Sequence, residues 1–316
     1  MLYIGIDLGG TSIKVGAVDA TGSILAEASL PTFASRPYQD IVRDMMTCAR
    51  EALAACGASE DDVAAIGVGI PGVADQHTGV VVFCTNLAWH DVPLREEIQK
   101  YMNRPVFIDN DATVAGFAES VAGVSRGAHS SVFLTLGTGL GSGVVIGGRP
   151  WSGAHGVGAE FGHTTLEIDG EPCTCGNFGC VERYCSATAL IRMAREACRA
   201  HPACEMLRAC EGDASRINAK LVIDLAKEGD DMAVRLFRRY VKYLALAVNN
   251  IITFLDPEVV VLGGGVSRAG NFLLDAVRAE IPRYLMYKTL PCSRVELARL
   301  GSEAGIIGAA MLGSLQ

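Results

Sequence analysis

The chain has 316 residues, half of them hydrophobic, 20% charged and 6% aromatic, with a net charge of −8. That length exceeds one ordinary core and predicts two domains, and the apolar content argues against a disordered chain. The acidic balance disfavours a nucleic-acid partner. The apolar runs are broken by Asn, Thr or Gly before about 18 residues, which argues against a membrane span. The start reads directly as a strand with no basic leader, so the expected location is cytoplasmic. Eleven cysteines in such a chain read as reduced thiols, not a disulfide framework.

Residues 2–8 read as a strand, Gly9-Gly10 as a turn, and 13–18 and 24–30 as two further strands. A helix is predicted over 38–55, because Ile41, Met45, Ala49 and Leu53 share one face and Gly57 follows. Strands follow at 63–70, 80–83 and 106–108, with a short helix at 94–101 and another helix from Asp111 to about residue 121. Residues 131–136 restart the pattern as a strand, 137–143 form a glycine loop, and 144–146 are a strand. A loop-rich stretch reaches about residue 185. Helices at 187–200, 218–227, 231–255 and 271–284 frame a strand at 259–262 that ends in three glycines. A strand at 295–298 and a helix at 303–312 close the chain. Strands mixed with helices throughout predict α/β layers. The strand–glycine loop–strand pattern of 4–18 recurs at 133–146, as two related halves would show.

Three glycine loops stand at strand ends. Asp7, Gly9, Gly10, Thr11 and Lys14 combine a carboxylate, a bare turn, a hydroxyl and a cation. Gly137, Thr138, Gly139 and Gly141 make a second loop, and Gly263, Gly264 and Gly265 a third. Bare backbone N–H groups can surround phosphate oxygens. Taken singly, each loop is an ordinary hairpin. No Gly-Lys pair occurs, so the P-loop signature is absent, and the spacing at Gly137 does not fit a dinucleotide fingerprint.

Asp109-Asn110-Asp111 follows a buried strand and opens a helix, where an Asp cap is ordinary. Its functional reading is an Asn that orients a hydroxylated ligand and an Asp that takes its proton. His163 with Cys173, Cys175 and Cys180 supplies four ligands, the complete set for a structural zinc. Glu160 and Glu182 flank that cluster and suit sugar hydroxyls as acceptors.

These runs resemble the ROK family of bacterial sugar kinases and repressors. The resemblance rests on Asp7 to Thr11, on Asn110-Asp111 and on the stretch from Leu136 through Gly147 to Glu160-Phe161-Gly162-His163. It extends over Cys173 to Glu182 and Gly263 to Gly265. Asn86-Leu87-Ala88-Trp89 makes the chain most similar to the glucokinases of that family.

The resemblance implies an actin-like ATPase (ribonuclease H-like) fold, with two α/β domains around a cleft. Residues 1–117 with 301–316 would form the smaller domain, and 118–300 the larger one with the zinc-binding loop. It implies an ATP-dependent hexose kinase with Asp111 as catalytic base toward the 6-hydroxyl. Gly72, Asn86, Asn110, Asp111, Glu160, His163 and Glu182 would hold the sugar. Asp7, Gly9, Gly10, Thr11, Lys14, Gly137, Thr138, Gly139 and Gly264 would serve ATP, with Asp7 organising Mg²⁺. His163, Cys173, Cys175 and Cys180 would ligate Zn²⁺. A homodimer or homotetramer is expected, with no nucleic-acid or membrane partner.

Two positions depart from the glucokinase pattern. Thr113 stands where Asn is usual, and His155 follows Ala154 where Asn is commoner, as in some allose-type kinases. Allose, fructose, mannose and N-acetylmannosamine are therefore alternatives to glucose. A repressor of the same family would carry a helix-turn-helix before the strand at residues 2–8. A sugar-binding protein without catalysis would not need Asp7, Lys14 and Asp111 together.

Overall fold

The structure is a computed structural model that describes residues 1–315. The chain begins with β1 (Leu2–Leu8), β2 (Ser12–Asp19), β3 (Ile24–Pro31) and helix α1 (Tyr38–Ala55). β4 (Val63–Ile70), β5 (Val73–Asp75), β6 (Val80–Cys84) and β7 (Trp89–Val92) precede α2 (Leu94–Gln99), β8 (Val106–Asn110) and α3 (Asp111–Val121). Next come β9 (Ser130–Leu136), β10 (Leu140–Ile146), β11 (Arg149–Pro150), α4 (Glu182–Cys185), α5 (Ala187–Ala200) and α6 (Glu205–Ala209). α7 (Ala219–Glu228), α8 (Asp231–Leu255), β12 (Val259–Gly263), α9 (Gly264–Ser267), α10 (Asn271–Glu280), β13 (Arg294–Leu297) and α11 (Ala304–Leu312) complete it.

Two compact units result. Unit 1 comprises residues 1–133, 143–159 and 299 onward; unit 2 comprises 134–142 and 160–298. In unit 1 a five-stranded sheet has the order β3-β2-β1-β4-β8. β1 pairs antiparallel with β2 and parallel with β4, and β4 runs parallel to β8. α1 covers one face with Ile41, Met45, Ala49 and Leu53. α11 and α3 cover the other. α11 is apolar on every side because it is enclosed by the sheet and by α3. That packing draws all of α3 into unit 1, past the boundary at residue 117 expected from sequence.

A second sheet has the order β11-β10-β9-β12-β13, so the strand order of the first is repeated. Unit 2 is built around the 25-residue α8, against which α4, α5, α7 and α10 pack. Buried Tyr240 on α8 donates its hydroxyl to the Cys185 carbonyl at 2.6 Å. No helix among the described residues is long and apolar enough to cross a membrane.

Most elements lie where the sequence places them, with three instructive differences. β10 begins at Leu140, not at 144, so Gly141 and Gly143 are strand residues. Gly143 is there for close packing: a Cβ would stand 2.6 Å from the Ala112 carbonyl oxygen. The helix from Asn271 ends at Glu280, because Pro282 lacks the N–H to continue it, and a 3₁₀ turn follows. Strands β5 and β7 flank β6 in a small antiparallel sheet, of which the sequence predicts only the strand at 80–83.

Candidate active site

The parallel strands β4 and β8 end side by side, pairing Gly69 with Asp109 and Ile70 with Asn110. Asn110, not an Asp, caps α3: its Oδ1 accepts the N–H groups of Ala112 at 2.9 Å and Thr113 at 3.3 Å. Its Nδ2 donates to the Gly72 carbonyl at 3.2 Å, which leaves a second amide hydrogen for a ligand. Asp111, the first residue of α3, is exposed, and its Oδ1 accepts the Ala112 N–H at 2.8 Å. A carboxylate at the positive end of a helix, next to an amide donor, can hold a hydroxyl and remove its proton.

Asp109 has a different environment. It is 5% exposed and accepts Gln76 Nε2 at 2.7 Å, the Asn110 N–H at 2.8 Å and Ser152 Oγ at 3.4 Å. Burial pushes its carboxyl up to about 6, and those three neutral donors only partly offset it.

In the β1–β2 hairpin Asp7 lies opposite Lys14, and its carboxylate packs against Gly305. Burial raises the Asp7 pKa and the Lys14 ammonium opposes that rise. The turn is closed by Gly9 N–H on the Ser12 carbonyl at 2.9 Å and held by buried Thr32, whose hydroxyl donates to the Gly9 carbonyl at 2.6 Å. Asn86 lies beside this loop, its Cβ 3.4 Å from where a Cβ on Gly10 would stand.

Unit 2 carries the second glycine loop. Gly137 N–H bonds the Gly139 carbonyl at 3.0 Å. The Gly137 carbonyl accepts Ala187 N–H at 2.8 Å and the Thr138 carbonyl accepts Thr188 Oγ1 at 2.7 Å, so the start of α5 fixes the loop. Glu182 Oε2 accepts the Leu140 N–H at 2.9 Å and lies where a Cβ on Gly139 would collide with it. Gly264, in the left-handed region at φ +81°, packs on the backbone of Leu136 just ahead of this loop.

Glu160 precedes a 3₁₀ turn over Phe161–His163, held by Phe161 N–H on Ser142 Oγ at 3.0 Å. His163 Nδ1 lies 3.7 Å from Cys173 Sγ, and Cys175 Sγ lies 3.6 Å from Cys180 Sγ. All four donor atoms fall within 4.8 Å of one another. A tetrahedral site with metal–sulfur bonds of about 2.3 Å has edges of about 3.8 Å, so the set fits one four-coordinate cation. With Nδ1 turned to the sulfurs, Nε2 remains for another partner. Without a cation, burial and the neighbouring thiols push Cys180 up to about 12. A bonded backbone N–H of Asn177 instead lowers Cys175.

The predicted residues therefore gather in two sets. Unit 1 holds Asp7, Gly9, Gly10, Thr11, Lys14, Gly72, Asn86, Asn110 and Asp111; unit 2 holds Gly137, Thr138, Gly139, Glu160, His163, the three cysteines, Glu182 and Gly264. Thr113 is buried, whereas His155 is exposed. The sequence reading gave no role to Asp109, Gln76, Ser152, Thr32 or Ser142. Only Asp109 carried a signal, as the first residue of an Asp-Asn-Asp run.

The glucokinase of Thermotoga maritima is 36% identical over 310 residues, covering 98% of this chain and 96% of its own. A solved ROK family glucokinase from Streptomyces griseus, in complex with glucose and AMPPNP, aligns over the whole of both chains with a TM-score of 0.83 and 34% identity. A ROK hexokinase from Thermus thermophilus aligns over 100% of this chain and 98% of its own, with a TM-score of 0.85 and 34% identity. The two sheets thus belong to the actin-like ATPase fold of these enzymes. The ROK family profile matches residues 3–314, and the chain belongs to the ROK family.

Proposed function

We propose that this chain is an ATP-dependent glucokinase that phosphorylates the sugar at its 6-hydroxyl, with Asp111 as base. The observation that carries this reading is the Asn110-Asp111 turn, set at the ends of β4 and β8 in a chain 34% identical to a glucokinase solved with glucose and AMPPNP. Asn110 would orient the hydroxyl with its remaining amide hydrogen. Asp111 would take the proton as the sugar oxygen attacks the γ-phosphorus and ADP leaves. Gly72 and Asn86 in unit 1, and Glu160, His163 and Glu182 in unit 2, would hold the other hydroxyls.

The Gly9-Gly10-Thr11 turn with Lys14, and the Gly137-Thr138-Gly139 loop with Gly264, would bind ATP. Asp7 would hold Mg²⁺, which neutralises phosphate charge when bound. His163, Cys173, Cys175 and Cys180 would hold a structural Zn²⁺ that fixes the loop between Glu160 and Glu182, its four protein ligands leaving no open position.

A coupled ADP-release assay with glucose, allose, fructose, mannose and N-acetylmannosamine tests the reading. The expected result is the highest kcat/KM with glucose. Preference for another hexose would overturn the glucose assignment, and no hexose-dependent ADP release would overturn the kinase.

A further inference from the structure

We propose that Asp109 is a positioning residue for phosphoryl transfer: its buried carboxylate ties three loops together and, through the Asn110 backbone N–H, sets the turn that presents Asp111. This rests on the kinase reading above. The Asp109 bonds come from three separate segments. Gln76 belongs to the β5–β6 hairpin, Asn110 begins the β8–α3 turn, and Ser152 belongs to the loop after β11. The hairpin is itself clamped from behind, because Arg95 donates to the carbonyls of Gln76 at 2.7 Å, His77 at 2.6 Å and Val106 at 3.0 Å. Gln76 is thus held where it can reach Asp109, and Asp109 in turn holds the residue whose side chain caps α3 and bonds Gly72. A packing residue would not need a charge here; a charged acceptor bonds a backbone N–H about twice as strongly as a neutral one.

Among the described residues no cation pairs with Asp109. The charged or titratable groups around it are Asp111 two residues on, Asp75 and His77 beside Gln76, Arg95 behind the hairpin, and Arg149 on β11. A cavity of about 280 Å³ adjoins the residue, lined by Gln76, Phe107, Asp109 and Arg149 among others. Its charge is therefore lost as pH falls through about 6, within the range in which a kinase is assayed. Protonation would weaken the hold on Asn110 N–H and loosen the turn.

The test is hexose-dependent ADP release from the full chain between pH 5 and 9, for wild type, Asp109→Asn and Gln76→Glu. Asn at 109 can accept the Asn110 N–H and donate to a flipped Gln76 amide, so a thermal melt should show an intact fold. Wild-type kcat should fall below pH 6. Asp109→Asn should have about tenfold lower kcat at pH 8, a sugar KM within about twofold, and no acid limb near 6. Gln76→Glu sets a second carboxylate against Asp109 and should move the limb up by about one pH unit; at pH 9, with both carboxylates ionised and the Gln76 donor gone, kcat should stay below wild type. A folded Asp109→Asn enzyme with wild-type kcat and an unchanged limb would overturn the proposal while leaving the kinase intact. A wild-type chain inert toward every hexose would instead sink the kinase reading, and this role with it.

Discussion

The polar turn of unit 1 and the His/Cys loop of unit 2 are organised by opposite means. Around Asn110 and Asp111 the chain supplies both halves of each hydrogen bond, and one buried carboxylate accepts from three neutral donors. Around Cys173, Cys175 and Cys180 it instead gathers four potential metal ligands, and within 4.8 Å three thiolates would repel one another. The first site is preorganised by the fold itself, whereas the second, on the zinc reading proposed above, would be complete only with an ion. They should therefore fail differently: the turn should lose chemistry and keep its structure, and the loop should lose structure first.

The largest effect should come from Asp111→Asn. The variant can still accept the Ala112 N–H, so the turn survives, but it cannot take a proton. kcat should fall by about 10²–10⁴ with little change in melting temperature. A variant with near-normal turnover at saturating sugar and ATP would remove Asp111 as the base. The matching test in unit 2 is Cys180→Ser. Elemental analysis should show about one zinc in the wild type and none in the variant, with a lower melting temperature and a sugar KM raised about tenfold or more. If the metal-free protein bound sugar with unchanged affinity, the loop would not owe its shape to the ion.

The two glycine loops sharpen the contrast on a smaller scale. A methyl on Gly139 would collide with the Glu182 carboxylate and dislodge it from Leu140 N–H, a bond to a charged group of about 1.5–3 kcal/mol. A methyl on Gly10 would meet only Asn86, its Cβ at 3.4 Å and its carbonyl oxygen at 3.6 Å, both ordinary contacts. Gly139→Ala should raise the ATP KM about tenfold or more, and Gly10→Ala less than threefold. Equal effects would mean that Glu182 does not support its loop.

How far the sequence could be read follows the range of each interaction. α1 and α8 were legible because apolar periodicity is local to a helix. The His/Cys cluster was legible because three of its four ligands lie within one short stretch and their residue types are unusual outside a metal site. Gly143 shows the limit of local reading, because glycine serves turns and close packing alike, and only the neighbouring Ala112 carbonyl shows which. Asp109 was named but left without a role. Its partners Gln76 and Ser152 stand 33 and 43 residues away, and no local pattern links them.

That buried carboxylate also offers the smallest effect, opposite in sign to its effect on activity. The Asp109 pKa rises from 3.8 to about 6 on folding, so the folded state holds this proton more tightly than the unfolded chain. The group's stabilising contribution is complete below pH 3.8, declines as pH rises through about 6, and is gone above it. The ionised carboxylate at pH 8 thus costs the fold at most about 3 kcal/mol. Asp109→Asn removes that cost but replaces a charged acceptor with a neutral one, so a net gain of about 1 kcal/mol is expected at pH 8. Urea titrations of both proteins at pH 4, 6 and 8 would show it. The variant should be equal to or weaker than wild type at pH 4 and stronger at pH 8, with the crossing between. A constant difference across all three would mean that Asp109 does not change charge in the folded protein. A gain in stability alongside a loss in kcat would show that unit 1 keeps a buried charge for the sake of its turn.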